Sequence, residues 1–425
     1  MEIRKGAKMA STGRRLLLII ALLVLLVAQA GAQTGGTLPL IVQISPFTNI
    51  TTVASILGAT VLDTIPGTQT YLLNVSVIPS PMTAALLGIQ WQERNAEISI
   101  PNFALLDMIA IPGTIAPNWY SNQPAWQLIE SQNALPYSTG RGVVIADINT
   151  LVDYSHPALL GHLTGGYDFV ASKPFGHTAL NQSNAGYIDQ SNAGFIDQSN
   201  AGYIDQFGAL LSVPDLTVNP AYSHGTLCAG IIAAIAPGSM IMPLRAFDNN
   251  GQSDLFTIAK AIHYAVQNGA VVINMSFGTP GSSQLLQSEI QYALQKNVSL
   301  VASAGNDNTS APQYPAAFTG VIAAAATDLF DYKAGFSNYG SYIFVDAPGV
   351  DIISAYPNGY YSVVSGTSFS SPAVAAEAAL VRSLNSTGAA NAIAGTAVNI
   401  DARNPNYTRQ LGYGRINVLR AVKPN

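Results

Sequence analysis

Between about residues 37 and 100, short apolar runs alternate with polar, turn-forming stretches. "LPLIVQIS" and "QTYLLNVSV" read as strands, while "NITTVASILGA" and "SPMTAALLG" carry helical spacing. "AEISIP" reads as the last strand of a small α+β unit of mixed order. A Pro- and Asn-rich stretch, "IPGTIAPNWYSNQP", then reads as a linker. After "STGRG" the rhythm changes. "GVVIADI", "AVVINMSFG" and "VSLVASAGN" are apolar strands, and the segments between them are helical. Leu255, Ile258, Ala259, Ile262 and Val266 form one helical face, which Asn268-Gly269 terminates. A second helix runs through "LLQSEIQYALQKN". Strands alternating with helices in this order predict a parallel sheet covered on both faces, with functional residues gathered at the carboxyl ends of its strands.

Two segments fall outside this rhythm. Arg4, Lys5, Lys8, Arg14 and Arg15 precede a 12-residue apolar run, Leu16–Val27, followed by small residues at Ala28, Ala30 and Ala32. That pattern predicts a signal peptide over residues 1–32, and the run is short for a membrane span. An uncleaved anchor is the alternative. No second run of spanning length follows, so the expected mature protein is secreted (extracellular or periplasmic) with no stable membrane span after signal cleavage. Residues 183–206 give one octapeptide three times, "SNAGYIDQ SNAGFIDQ SNAGYIDQ". They read as a surface insertion grown by duplication. Stacking into a ladder, binding cations or touching a partner stays open, because three short repeats do not define a solenoid.

Composition narrows the function. Of the 425 residues 48% are hydrophobic and 10% charged, with a net charge of −5, and no basic cluster lies beyond the first fifteen residues. Such a chain buries a large core and offers nucleic acid no electrostatic footprint. Cys228 is the single cysteine, which excludes an intrachain disulfide. It lies one helical turn after His224, where it is expected to pack beneath the imidazole as a small buried hydrophobe. His156, His162, His177 and His263 show no metal-ligand spacing.

Three phrases carry chemistry. In "SHGTLCAGIIAAI", His224 precedes a helix of small residues. In "SGTSFSSPAVAAEAALVRSL", Ser368 opens a helix and Pro372 is expected in its first turn. "IADINTLVDYSHPAL" stands where an acid phrase belongs. A serine at a helix amino terminus has backbone N–H groups and a positive dipole end beside it, and a histidine can take its proton. The chain order of acid position, histidine and serine occurs in subtilisins and separates them from chymotrypsin-like enzymes and α/β-hydrolases.

Residues 120 to 425 resemble the subtilisin-like serine peptidases. "HGTLCAG" and "GTSFSSP" match the family's histidine and serine phrases, with Leu227 where a second histidine often sits. "SLVASAGND" resembles the strand ending in the oxyanion asparagine, here Asn306. "NMSFG" resembles the substrate-binding strand and contributes Ser276, Phe277 and Gly278. "FSNYG", "VDAPGVDIIS" and "LGYGRINVLRAV" also fit. The resemblance implies an α/β fold with a doubly wound, mostly parallel sheet over residues 116–425. It also implies a small α+β propeptide-like domain over 33–115; a permanent accessory domain is the alternative. Implied partners are peptide or protein substrates and the protein's own propeptide. No cofactor is required, calcium is an optional structural ion, and no metal ligand can be assigned.

The acid phrase departs from the family. Gly142 is followed by six residues and then Asn149-Thr150, and the distance to "SHP" fits the same alignment, so spacing puts Asn149 on the acid position and Leu151 on a glycine. Asp147, two residues upstream, is the alternative acid, displaced by roughly 6.6 Å along a strand. An asparagine carbonyl can accept from the imidazole but brings no charge, and the reversed amide favours the wrong tautomer. Two functions remain from the residues alone: an endopeptidase acting through an acyl-enzyme on Ser368 and weakened by Asn149, or an impaired pseudopeptidase that binds peptides or partner proteins.

Overall fold

The computed structural model describes residues 37–110, 116–175, 220–385 and 388–423. The expected signal peptide, the octapeptide insertion and His177 lie outside the described residues. Among those described, no helix is long and apolar enough to cross a membrane. The chain divides into two compact units, Met1–Ala96 and Glu97–Asn425.

The first unit is α+β. Strand β1 (Leu38–Ile44), helix α1 (Ile50–Leu57), β2 (Thr60–Thr64), β3 (Thr70–Val75), α2 (Pro81–Leu86) and β4 (Ile89–Arg94) follow in order. The sheet is antiparallel, in the order β2-β3-β1-β4. Asn49 caps α1 by accepting from the backbone N–H groups of Thr51 and Thr52, and Gly58 ends it at φ 61°. Leu40, Val42, Ile44, Val53, Leu57, Leu73 and Val75 form its core. The pattern missed β2 and β4. β4, "IQWQER", buries only Ile89 fully, so its polar residues hide the strand signal.

The expected last strand of that unit belongs elsewhere. Glu97–Ser99 (β5) pairs antiparallel with Gln252–Asp254 (β11) in the second unit. Ala104–Ala110 (β6) then joins a three-stranded sheet with Ile352–Tyr356 (β16) and Tyr360–Ser365 (β17). The expected linker also carries structure: Asn118–Ser121 and Pro124–Leu128 are helical turns that bury Tyr120 and Trp126.

The main sheet of the second unit contains β7 (Val144–Asn149), β8 (Gly166–Asp168), β9 (Lys173–Phe175), β10 (Met240–Arg245), β12 (Val272–Met275), β13 (Ser299–Ser303), β14 (Val321–Thr327) and β15 (Val345–Pro348). Its order is β15-β14-β13-β12-β7-β10-β8-β9. All pairs are parallel except β8 with β9. The chain passes from β7 to β10 on one side, then crosses back to β12 on the other. That reversal makes the carboxyl end of β7 a topological switch point, where α/β sheets place their ligand crevice. The longer helices of this unit are α3 (His224–Ile235), α4 (Leu255–Gln267), α5 (Gln284–Gln295) and α6 (Thr367–Leu384). α6 is buried from Thr367 to Val381, and its alanines let it lie close to the sheet.

Candidate active site

Asn149 is the last residue of β7, and Asp147 precedes it on the same strand face. The parallel register places Asp147 opposite Asn274 of β12. His224 opens α3 directly after a 3₁₀ turn over Pro220–Ser223. Gly225 follows because a Cβ there would meet the carbonyl oxygens of Thr150 and Leu151 at 2.7 Å. Gly225→Ala is therefore expected to cost about 1–3 kcal/mol of stability through overpacking. The measurement is thermal unfolding, with peptide hydrolysis in parallel to show His224 moving away from Asn149.

His224 Nδ1 meets Asn149 Oδ1 at 2.7 Å. The Asn149 oxygen also accepts from the Thr150 backbone N–H at 2.9 Å, and its Nδ2 lies 3.3 Å from both oxygens of Asp147. Behind them, Asn274 Nδ2 donates to Asp147 Oδ1 at 2.8 Å, and Ser371 Oγ donates to Asn274 Oδ1 at 2.7 Å. The set is buried throughout. Burial pushes the Asp147 carboxyl up to about 7, against the smaller opposing effect of its two amide donors. Burial also pushes the His224 imidazole down to about 3, since an amide in place of a carboxylate supplies no charge to lift it.

Cys228 is buried beneath the ring, 3.8 Å from His224 Nδ1, and its S–H donates to the Ser368 carbonyl. Burial raises its thiol well above the ordinary value, so it packs as an un-ionised side chain. His156 bonds the Tyr360 carbonyl and His263 pairs with Glu289.

Ser368 is the second residue of α6. Its hydroxyl donates to the Ser276 carbonyl at 3.3 Å, and His224 Nε2 is buried without a hydrogen-bond partner. Attack therefore requires the hydroxyl to turn from Ser276 towards Nε2. Pro372 is the sixth residue of α6, beyond the first turn where the sequence pattern set it. Its missing N–H frees the Ser368 carbonyl, which instead accepts from Ser276 Oγ at 2.9 Å and from Cys228. The proline thus ties the helix start to the end of β12. Phe277 packs against Phe247, and Gly278 continues the same strand end.

Asn306 follows β13. Gly305 stands at φ +107°, with room for no Cβ because Asn338 Nδ2 would lie 2.4 Å away. Asn306 Oδ1 accepts from the Thr367 backbone N–H at 2.9 Å and from its hydroxyl at 2.7 Å. This turns Nδ2 outward, where it donates to the Asn102 carbonyl at 2.8 Å. An oriented donor of that kind can hold negative charge developing on a carbonyl oxygen.

The atom it holds follows the strand that the sequence pattern assigned to the first unit. Ser99 lies opposite Gln252, Ile98 opposite Ser253 and Glu97 opposite Asp254, and the Ile100 N–H donates to the Gly251 carbonyl. After Asn102, the Phe103 ring packs tilted against His224 (5.2 Å between ring centres) and edge-on against Phe369 (5.4 Å). The chain thus passes this cluster with the Asn102 carbonyl on Asn306 and the Phe103 ring against His224. The visible signal for β11 was the Asn250-Gly251 turn before it. Nothing local in residues 97–103 marks a peptide that adds to a distant edge. For the calcium ion allowed by the resemblance, the described residues hold no group of three or more His, Cys, Asp or Glu side chains suited to a metal.

A helix-borne serine, a histidine and an outward-turned amide at the switch point of a parallel sheet form the arrangement of a serine hydrolase of the subtilisin order, distinct from the α/β-hydrolases. The profile of the subtilase family (peptidase S8) matches residues 140–414. Thermitase of Thermoactinomyces vulgaris is 33% identical over 320 residues, covering 72% of this chain and 98% of thermitase. The thermophilic serine proteinase of Bacillus sp. strain AK1 is 36% identical, over 66% of this chain and 62% of its own length. Fervidolysin from Fervidobacterium pennivorans, described as a keratinolytic enzyme related to subtilisin, shares the fold. Its structure has a TM-score of 0.69 at 22% identity and covers 92% of this chain and 62% of its own. The chain belongs to the subtilase family.

Proposed function

We propose that this protein is a secreted serine endopeptidase that is made with an amino-terminal propeptide and cuts itself between Asn102 and Phe103. The observation that carries the reading is the Asn102 carbonyl bonded to Asn306 Nδ2, on a segment paired with β11 in the manner of a bound substrate. Ser368 Oγ attacks the carbonyl carbon while His224 Nε2 takes its proton. Asn306 Nδ2 and the Ser368 backbone N–H, which no helical carbonyl reaches in the first turn, hold the oxyanion. His224 then hands the proton to the Phe103 nitrogen as the C–N bond breaks. Water, activated by the same imidazole, releases Asn102 as a free carboxylate. Asn149 stands at the acid position and accepts from the imidazole Nδ1–H. Residues 1–32 serve as the export signal, and the small α+β unit with the strand that follows it serves as the inhibitory leader.

A second reading is favoured by one observation, the neutral amide at the acid position. It makes the chain an impaired pseudopeptidase that binds peptides or partner proteins in the same cleft. A fluorophosphonate probe on the processed protein separates the two. A covalent adduct on Ser368, accompanied by loss of peptide hydrolysis, is expected. Labelling at another residue, or none on protein with an emptied cleft, would establish the binding-only reading.

A further inference from the structure

An asparagine facing a base has two orientations, and only one supports catalysis. With the oxygen towards His224 Nδ1, the ring carries its proton there and keeps the Nε2 lone pair for Ser368. With the NH₂ group in that place, the proton moves to Nε2 and the base is lost. The first orientation is present here, and its cause lies one pleat back. We propose that Asp147 is a positioning residue whose carboxylate holds the Asn149 amide with its NH₂ group away from His224, so that a buried carboxylate sets the tautomer of an imidazole it does not touch. This inference rests on the reading of His224 as the base.

The geometry supports it from both ends. Asn149 Nδ2 lies equidistant from the two Asp147 oxygens, at 3.3 Å from each. The carboxylate is itself fixed by Asn274, which is fixed in turn by Ser371 and by Ser276, 3.0 Å from Asn274 Nδ2. Reversing the Asn149 amide would set its carbonyl oxygen against a carboxylate. It would also set an N–H donor against the Thr150 N–H, which now donates to Oδ1. Both changes are unfavourable in a buried site. Around Asp147 stand Asn149 of its own strand, Asn274 of β12 and the Cys228 thiol of α3, while His224 is reached through Asn149. Burial keeps the imidazole neutral and the thiol protonated. The carboxyl, pushed up to about 7, is then the group in this cluster that changes charge near neutrality. Protonated, it can offer its own O–H to the Asn149 oxygen and release the amide. Activity therefore rises as pH increases through the titration of Asp147.

The experiment compares four full-length proteins after self-cleavage: native, Asp147→Asn, Asn149→Asp, and the double variant. Asp147→Asn is expected to lower kcat by about 10- to 100-fold at unchanged KM, the range for losing a hydrogen bond to a charged group. It should also remove the pH limb near 7. The double variant, whose new carboxylate faces His224 directly, should match Asn149→Asp. A double variant as slow as Asp147→Asn would reduce Asp147 to a structural role and overturn the proposal. Histidine-¹⁵N spectra of the same four sequences on a Ser368→Ala background give a readout free of turnover. His224 is expected to be protonated at Nδ1 in the native sequence and to shift towards Nε2–H in Asp147→Asn. An unchanged tautomer there overturns the proposal even if every protein is inactive. Inactivity of all four by itself counts only against the peptidase reading.

Discussion

Asn149→Asp is expected to raise kcat/KM on a chromogenic peptide by roughly 10³- to 10⁴-fold. The estimate comes from the reverse changes: asparagine at this position in trypsin costs about 10⁴, and loss of the aspartate in subtilisin about 3 × 10⁴. In barrier terms this is about 5.5 to 6 kcal/mol. The new carboxylate can occupy the place of the amide without moving the backbone, because the Asn149 oxygen already meets Nδ1 at 2.7 Å and already accepts from Thr150. Asp147 then stands beside a second acid. Two carboxyl groups at that separation cannot both ionise, so one keeps its proton. Asp147 is already pushed up to about 7 by burial, and the new charge raises it further, so it remains neutral and donates to the new aspartate. Leu151 does not oppose the change, because it stands outside the left-handed region that would demand glycine. Hydrolysis rates across pH check this. No gain from Asn149→Asp, together with a large loss from Asp147→Asn, would mean that Asp147 serves His224 itself.

Ser368→Ala is expected to leave the chain whole. The native protein should separate into a fragment ending at Asn102 and one beginning at Phe103, identified by amino-terminal sequencing and mass. Loss of this nucleophile costs about 2 × 10⁶ in kcat in subtilisin, which turns a reaction of minutes into one of years. The uncut variant should also keep its cleft filled, because the Asn102 carbonyl bond to Asn306 and the pairing of β5 with β11 do not involve the serine hydroxyl. Cleavage that persists in Ser368→Ala, or a native cut at a bond far from Asn102–Phe103, would overturn the self-processing pose.

Several parts of this protein were legible in its residues. The helix over Leu255–Gln267 follows from its apolar face and the Asn268-Gly269 stop. The strands at Val272–Met275 and Ser299–Ser303 follow from continuous apolar runs, as a sheet covered on both faces requires. His224, Asn306 and Ser368 stood out because each sits in a phrase whose small residues serve close approach: Gly225 against the Thr150 and Leu151 carbonyls after β7, Gly305 against Asn338, and the alanines of α6 against the sheet. The flanking spacing selected Asn149 over Asp147, because strand length is counted along the chain.

Other parts depended on elements far apart in sequence. β4 and β6 gave no clear periodic signal, and β5 was assigned to the wrong sheet, because strand partners are chosen by edges and not by local pattern. Pro372 looked like an ordinary first-turn residue. Its consequence, a Ser368 carbonyl bonded just beyond β12 and to α3, exists only where one strand and two helices meet. The network from Ser371 through Asn274 and Asp147 to Asn149 spans three elements, and no single stretch of sequence contains it. Local periodicity decides which face of a strand or helix is buried. Which polar groups then share that buried space, and so which way an amide must point, depends on parallel register and helix docking in the folded chain.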